Sequence, residues 1–421
     1  VSKEQEYNSA QVQFEEKLAR WVVECSQDGY ADFWNIVRRL PGSYPSDVRN
    51  VITQLIEVSL VEPDFGTEHA LASTHDYPGV LMPGTAIPHP LAFDWRFTLI
   101  SAERVLDELM ESSRNDDRVL LLGCPSVYWL GTSKRLPRDF MLLDLHGSVL
   151  NDDTNKHERS IQSVDLMKNT LDVPRADVVL ADPPWYFDEA MAFLASAAHA
   201  LVVGGTLLFC YGSHGMRPGA FEEQERLIAF AESLGLEWVN SELLSLSYVT
   251  PYFEYNALKA AGFNHIPSHW RKGDLLRFRK NTHNVNRTLV PKGEQSDWFR
   301  SCISGIEIWM RRDDCVLETP ELIRILPGDI LPSVSRRNAR RNEAQVWTSG
   351  NRVFRCKNIP ALFDITQAIE RGENPHDRIQ AGMAQGKYEV NDNSVGRVVS
   401  QIERVVSLEM EELGSIVYGD P

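Results

Sequence analysis

The stretch ADVVLADPPW, residues 176–185, sets an aspartate, two prolines and an aromatic directly after an apolar run. Proline offers no N–H to a central sheet ladder and restricts the residue before it, so a buried strand ending at Ala181 must open into a rigid turn. In an α/β protein such a turn lies at the carboxyl edge of the sheet, where ligands bind. Asp182, Pro183, Pro184 and Trp185 are therefore the first candidates for chemistry.

Outward from this turn, helix and strand patterns alternate. FTLISAERVLDELMESS (97–113) is amphipathic, with Val105, Leu106 and Leu109 on one side; DRVLLLG (117–123) and DFMLLDLHG (139–147) read as buried strands. DEAMAFLASAAHALVVGG (188–205) reads as a helix ended by glycines, TLLFCYG (206–212) as a strand and PGAFEEQERLIAFAESLGL (218–236) as a helix. DLLRFRK (274–280) and GIEIWMRR (305–312) add later strands. This alternation predicts a Rossmann-like parallel sheet covered by helices.

Three strand ends fall at a telling interval. The first strand ends at Gly123, Asp144 follows twenty-one positions later, and Asp182 thirty-eight after that. An acidic residue about 20 positions beyond the first strand's glycine holds a ribose by its hydroxyls in doubly wound folds, which makes Asp144 the ribose candidate. SIQSVDLMKN (160–169) reads as a short intervening strand that puts Asp165 where an adenine amino group would lie.

The bulk numbers describe an ordinary globular chain. Of its 421 residues, 43% are hydrophobic and 24% charged, enough for two or three domains. No run approaches the ~20 apolar residues of a membrane helix and the start lacks a signal-peptide core, so the expectation is a cytoplasmic protein without membrane contact. Six scattered cysteines show no CxxC or zinc-finger spacing, so no metal site is expected. The formal charge of −16 argues against a whole-surface nucleic-acid binder and suits a cationic substrate.

Over roughly residues 98–312 the sequence resembles the class I S-adenosylmethionine-dependent transferases. Asp182-Pro183-Pro184-Trp185 matches the [DNS]PP[YFW] tetrapeptide typical of those that alkylate amino nitrogens, and DPPW itself is the form found in the adenine-N6 methyltransferases of mRNA, whose motif order differs. A second likeness is to the branched-chain polyamine synthases, or bis-aminopropyl spermidine synthases, which join a winged-helix N-terminus to such a domain and use decarboxylated S-adenosylmethionine. That family carries Gly-Asp-Asp-Asp at the first strand's end, where this chain has Gly123-Cys124-Pro125-Ser126. Two charges that would bind a polyamine are thus missing. Relative to the usual GxGxG loop, Pro125 removes an N–H and Val127 and Tyr128 add bulk, which leaves the cofactor site diverged.

The resemblance implies a cofactor, S-adenosylmethionine or its decarboxylated form, held by Gly123, Asp144 and Asp165. It implies transfer to an amine-bearing substrate, a nucleobase or a polyamine, with methyl transfer ahead of aminopropyl transfer. The Asp182 carboxylate and Pro183 carbonyl would accept N–H bonds from the attacking nitrogen, and Trp185 would stack on a base or face an ammonium. Tyr186, Tyr252 and Glu254 are candidates for the acceptor side, from segments rich in aromatics.

The N-terminal part reads as three helices and a wing strand, IEVSLVEP (56–63). The expected organisation is thus a winged-helix-like module (1–65), a linker or lid (66–97), a Rossmann-like transferase domain (98–320), and a C-terminal extension (321–421) with a basic segment and a terminal helix. Arg336, Arg337, Arg340 and Arg341 form the dense basic cluster, suited to phosphates or equally to a solvated helix face. A non-enzymatic reading stays open: a DNA-binding or assembly protein with a degenerate transferase domain, whose partners would be nucleic acid or a second copy of the chain. His146 and His214 lie near strand ends as further candidates for proton transfer.

Overall fold

The computed structural model describes residues 3–69, 87–145, 160–168, 173–282, 298–312, 319–336 and 338–418. The chain forms two compact units: Val1–Gly79 with Trp95–Thr250 and His265–Gly293, and Val80–Asp94 with Pro251–Asn264 and Glu294–Pro421.

The first unit opens with helices α1 (Lys3–Gln27), α2 (Phe33–Arg39) and α3 (Pro45–Glu57). Asp32 caps α2 by accepting from the Asn35 amide at 2.9 Å, and Pro45 sits in the first turn of α3, where its missing N–H costs nothing. Phe14, Leu18 and Val22 of α1 and Val48, Val51, Ile52 and Leu55 of α3 are buried. The wing strand does not form. Ile56 and Glu57 finish α3, residues 58–61 and 63–66 are turns and bends, and Ser59 takes a φ of 56°. Val58 and Leu60 are each 63% exposed, so the alternation over 56–63 has no apolar surface to pair with. Extended pairing in this region is the single bridge between Asp32 and Thr67.

Then come α4 (Leu99–Ser112), β1 (Arg118–Leu122), α5 (Pro125–Ser133), β2 (Asp139–Asp144), β3 (Ile161–Ser163), β4 (Ala176–Ala181), α6 (Phe187–Ala200), β5 (Leu201–Gly212), α7 (Ala220–Ser233), β6 (Leu236–Val249) and β7 (His269–Lys280). They form a seven-stranded sheet of order β3-β2-β1-β4-β5-β7-β6. The neighbours from β3 to β5 run parallel, and β7 is inserted antiparallel between β5 and β6. This is the Rossmann-like α/β sheet that the alternation predicts. Val119 to Leu122 and Val179 to Ala181 are fully enclosed, which is why those strands read as unbroken apolar runs. One boundary moves: α6 stops at Ala200, and Leu201 already pairs with Ala176 before the register shifts and Thr206 joins Val178. Val202 and Val203 are β-branched, and strand geometry claims them.

The second unit has its own sheet and core. Strands β8 (Trp298–Ile303), β9 (Ile306–Arg311), β10 (Ile323–Arg324), β11 (Val346–Thr348) and β12 (Val353–Arg355) are antiparallel, in the order β10-β12-β11-β9-β8. Ser304 and Gly305, both at positive φ, make the two-residue β8–β9 hairpin turn. The strand GIEIWMRR thus belongs to this second sheet. Helices α8 (Tyr252–Ala260), α9 (Ile359–Arg371), α10 (Pro375–Ala384) and α11 (Asp392–Tyr418) complete the unit, with Val395, Val398, Ile402 and Val406 of α11 buried and Val399 and Val405 half-buried. Among the described residues no helix is long and apolar enough to cross a membrane.

Candidate functional site

The site is built on three strands that end together. Leu122 of β1 is in register with Leu143 of β2 and Ala181 of β4, so Gly123, Asp144 and Asp182 leave the sheet side by side. The Gly123 amide donates to the Leu143 carbonyl at 2.9 Å, and the Asp182 amide to the Leu122 carbonyl at 3.0 Å. Gly123 has a φ of 68°, and a Cβ there would sit 3.1 Å from the Asp182 carbonyl oxygen and 3.2 Å from the Phe193 ring. Only glycine fits that corner.

The chain then turns straight into α5. Cys124 is its N-cap residue and Pro125 occupies the first turn, so the N–H that proline lacks was already outside the helical ladder. The Cys124 thiol points back under the sheet edge, donating to the Leu122 carbonyl at 3.2 Å. Burial, then the Asp182 and Asp144 carboxylates, push that thiol well above its ordinary pKa.

Asp144 sits half-buried at the end of β2, in register with Ser163 of β3, and its carbonyl accepts from the Val164 amide at 2.9 Å. Asp165 closes the next turn: its Oδ1 accepts from the Met167 amide at 3.0 Å and its Oδ2 lies 3.6 Å from Lys168 Nζ. A carboxylate has about four lone-pair directions, so acceptor capacity remains on Asp165.

In the DPPW turn, Pro183 is buried, and the Tyr186 amide donates to the Pro184 carbonyl at 2.7 Å as the chain enters α6. Asp182 Oδ1 accepts from the hydroxyl of Tyr248, the penultimate residue of β6, at 2.9 Å. Burial, then the charge of Asp182, raises the Tyr248 phenol well above its ordinary pKa, so it stays a donor. The Tyr248 ring packs on Phe97 (4.8 Å) and edge-on to Trp185 (5.1 Å). Trp185 is only 8% exposed. It lies against Gly212 and Gly273, which are paired across β5 and β7; a Cβ on either would come within 2.8 Å of its ring. The Arg271 guanidinium stands 4.3 Å from the Trp185 ring and 4.3 Å from that of Trp95. Stacking of an acceptor on Trp185 would have to displace that guanidinium.

Sequence reasoning missed Trp95, Gly212, Arg271 and Gly273. The one local signal was the cluster HWRKG (269–273) opening β7. Of the other expected residues, Tyr186 is the half-buried N-cap residue of α6. Tyr252 and Glu254 lie on α8 in the second unit, where the Tyr252 hydroxyl donates to Glu412 Oε2 at 2.8 Å and Glu254 is fully buried. His214 packs edge-on against Trp21 of α1 (6.1 Å). Arg336 lies over Phe93 (4.6 Å), and Arg341 over Trp347 (4.5 Å) while donating to the Val334 carbonyl at 2.7 Å. Arg340 is on a short 3-10 turn, Ala339–Glu343; Arg337 and His146 lie outside the described residues. Among the described residues, no group of three or more His, Cys, Asp or Glu is placed to hold a metal.

No family model matches the sequence, and neither does any curated protein. The fold does have solved likenesses. A C9 mutein of the branched-chain polyamine synthase of Thermus thermophilus, in complex with N4-aminopropylspermidine and 5'-methylthioadenosine, is similar with a TM-score of 0.50 and 14% identity, over 70% of this chain and 98% of that one. The branched-chain polyamine synthase of Thermus thermophilus itself gives 0.48 and 16% over the same shares. An N-methyltransferase of Bradyrhizobium japonicum, in complex with S-adenosyl-L-homocysteine, gives 0.28 and 14%, over 42% of this chain and 85% of that one. At these identities the likeness is one of fold.

Proposed function

We propose that this chain transfers an alkyl group from S-adenosylmethionine to an amino nitrogen, methyl transfer ahead of aminopropyl transfer. The observation that carries the reading is the in-register exit of Gly123, Asp144 and Asp182 from three adjacent strands, with Tyr248 fixing the Asp182 carboxylate. The donor set suits a sulfonium nucleoside: Asp144 can accept from ribose hydroxyls, Asp165 from an adenine amino group, and the glycine corner keeps side chains out of the way. When bound, S-adenosylmethionine supplies an electrophilic methyl on a positively charged sulfur.

The protein's own groups handle the nitrogen. A neutral amine attacks in line only if its lone pair is aimed at the carbon, and two acceptors on its N–H groups set that aim. The Asp182 carboxylate and the Pro183 carbonyl, stiffened by consecutive prolines, are those acceptors. As the nitrogen becomes cationic its N–H bonds to Asp182 strengthen, so the stabilisation grows toward the transition state. Tyr248 keeps one carboxylate oxygen occupied and in place.

Calorimetry with S-adenosylhomocysteine tests the reading. Wild type and Asp182→Ala should both bind, Asp144→Ala should bind at least tenfold more weakly, and Asp182→Ala should lose transfer. Absence of binding at millimolar ligand rules the function out. Aminopropyl transfer is the second reading, favoured by the fold likeness, over 70% of this chain, to the polyamine synthase mutein in complex with N4-aminopropylspermidine and 5'-methylthioadenosine. Preference for decarboxylated S-adenosylmethionine over the parent compound would select it.

A further inference from the structure

We propose that Arg271 is a specificity-determining residue: its guanidinium fills a cation box formed by Trp95 and Trp185 and keeps polyamines from the acceptor side, so that the alkylated nitrogen belongs to an uncharged amine of the nucleobase kind. The inference rests on the transferase reading above and narrows its acceptor.

Two indoles flanking one cation form the arrangement by which proteins hold ammonium ligands. Here the cation is the chain's own, 4.3 Å from each ring. The walls are fixed independently of it. Trp95 packs edge-on against Trp270 (6.0 Å, 88°), and Trp270 against Tyr44 (5.7 Å). Trp185 is held by Tyr248 and by the Gly212–Gly273 pair. Arg271 itself is half-buried near the start of β7. Arginine does not lose its proton in proteins, so the box stays filled at every working pH.

The surrounding charges point the same way. Arg217 donates to the Trp185 carbonyl at 3.4 Å and is paired with Glu223. A polyamine carries an ammonium every few bonds and needs carboxylates to match. Asp144 and Asp182 stand at the strand ends, with one Asp182 oxygen already bonded to Tyr248; Asp165 is beside Lys168, Asp274 is buried and accepts from the Leu244 amide at 2.8 Å, and Gly123-Cys124-Pro125-Ser126 supplies none. An exocyclic nucleobase amine is uncharged and has no such requirement; its lone pair is conjugated with the ring, so its nucleophilicity depends on acceptors on its N–H groups such as Asp182 and the Pro183 carbonyl.

The test measures spermine binding by calorimetry in 0.3 M salt, which screens attachment to an acidic surface. Arg271→Ala should bind spermine at least tenfold more tightly than wild type, and Arg271→Lys should behave as wild type. Arg271→Ala combined with Trp95→Ala should lose the gain, which separates the box from general charge effects. Arg271→Ser serves as a second neutral variant, with circular dichroism reporting the fold of each. Equal spermine binding by wild type and folded Arg271→Ala overturns the proposal, as does label transfer from S-adenosylmethionine to spermidine by wild type. S-adenosylhomocysteine binding on the same samples reports the cofactor reading separately: its loss would sink that reading while the spermine comparison still judges the box.

Discussion

Tyr248→Phe removes one oxygen from the centre of the site and little else. The ring remains to pack on Phe97 and Trp185, so no cavity opens. What goes is the 2.9 Å bond to Asp182 Oδ1. A hydrogen bond to a charged group contributes about 1.5–3 kcal/mol. Asp182 is half-buried, so water can replace part of it, and the expected loss of stability is about 1–2 kcal/mol. Equilibrium urea unfolding should show that loss as a lower midpoint with unchanged slope. Tyr248→Ala, which also deletes the ring, should cost about 3–5 kcal/mol. If Asp182 orients the nitrogen, the freed carboxylate should lower kcat about tenfold, at roughly 1.4 kcal/mol per decade, with the KM for S-adenosylmethionine unchanged. Wild-type urea midpoint and wild-type kcat in Tyr248→Phe would together refute the idea that this hydroxyl holds Asp182.

Gly273→Ala should destabilise by about 1–3 kcal/mol through overpacking, because its Cβ would lie 2.8 Å from Trp185 Cζ2 and 2.9 Å from the Tyr211 carbonyl; an unchanged melting temperature would show that Trp185 is free to move. In the second unit, burial raises the Glu409 carboxyl from 4.5 to about 7, outweighing Thr348, Arg352 and the Gly350 amide. The folded state therefore keeps a proton that the unfolded chain releases between those pH values, so stability should fall by about 3 kcal/mol as pH rises through that window. Glu409→Gln should flatten the slope in pH-dependent urea unfolding, and a wild-type midpoint rising from pH 5 to 7.5 would contradict this. Asp182→Ala should leave S-adenosylhomocysteine binding within about threefold of wild type, as calorimetry can check, because the nitrogen and not the nucleoside meets this carboxylate.

The strand ends were readable because each is punctuated where the chain leaves the sheet: Gly123 at a positive φ, and Asp182 before two prolines. The first interval, from Gly123 to Asp144, reflects the single crossover helix α5 between β1 and β2, which local sequence does record. The partners of Trp185 were not readable. Gly212 and Gly273 meet only because β7 inserts antiparallel beside β5, and strand order is a long-range property that no local period carries. The wing over 56–63 shows the converse: alternation describes a strand's preference, while a neighbour decides whether it exists. The second sheet escaped because β10, β11 and β12 span only two or three residues, too short for any periodicity. Within that unit the proline-rich segment read as a linker contributes packed residues, with His89 stacked on Trp309 at 4.5 Å and bonded to the Trp347 carbonyl at 3.0 Å.

The net charge of −16 suggested a cationic partner, and on the acceptor proposed above the groups at the DPPW edge count for more than net charge. Screening confines a surface charge to about 8 Å at physiological salt, so distant carboxylates can speed the arrival of a cation without holding it. Selection is made by groups in contact, and around Trp185 those include Arg271, with Arg217 on its carbonyl. The two scales can be separated by salt. If both descriptions hold, raising ionic strength should weaken spermine binding to the wild-type surface steeply, while the additional affinity of Arg271→Ala should fall less, because a cation held between two indoles is attracted by the rings at contact distance and not by distant surface charge. A gain that vanishes with salt in parallel with the wild type would place the spermine on the surface, and Arg271 would then be an ordinary stacked arginine.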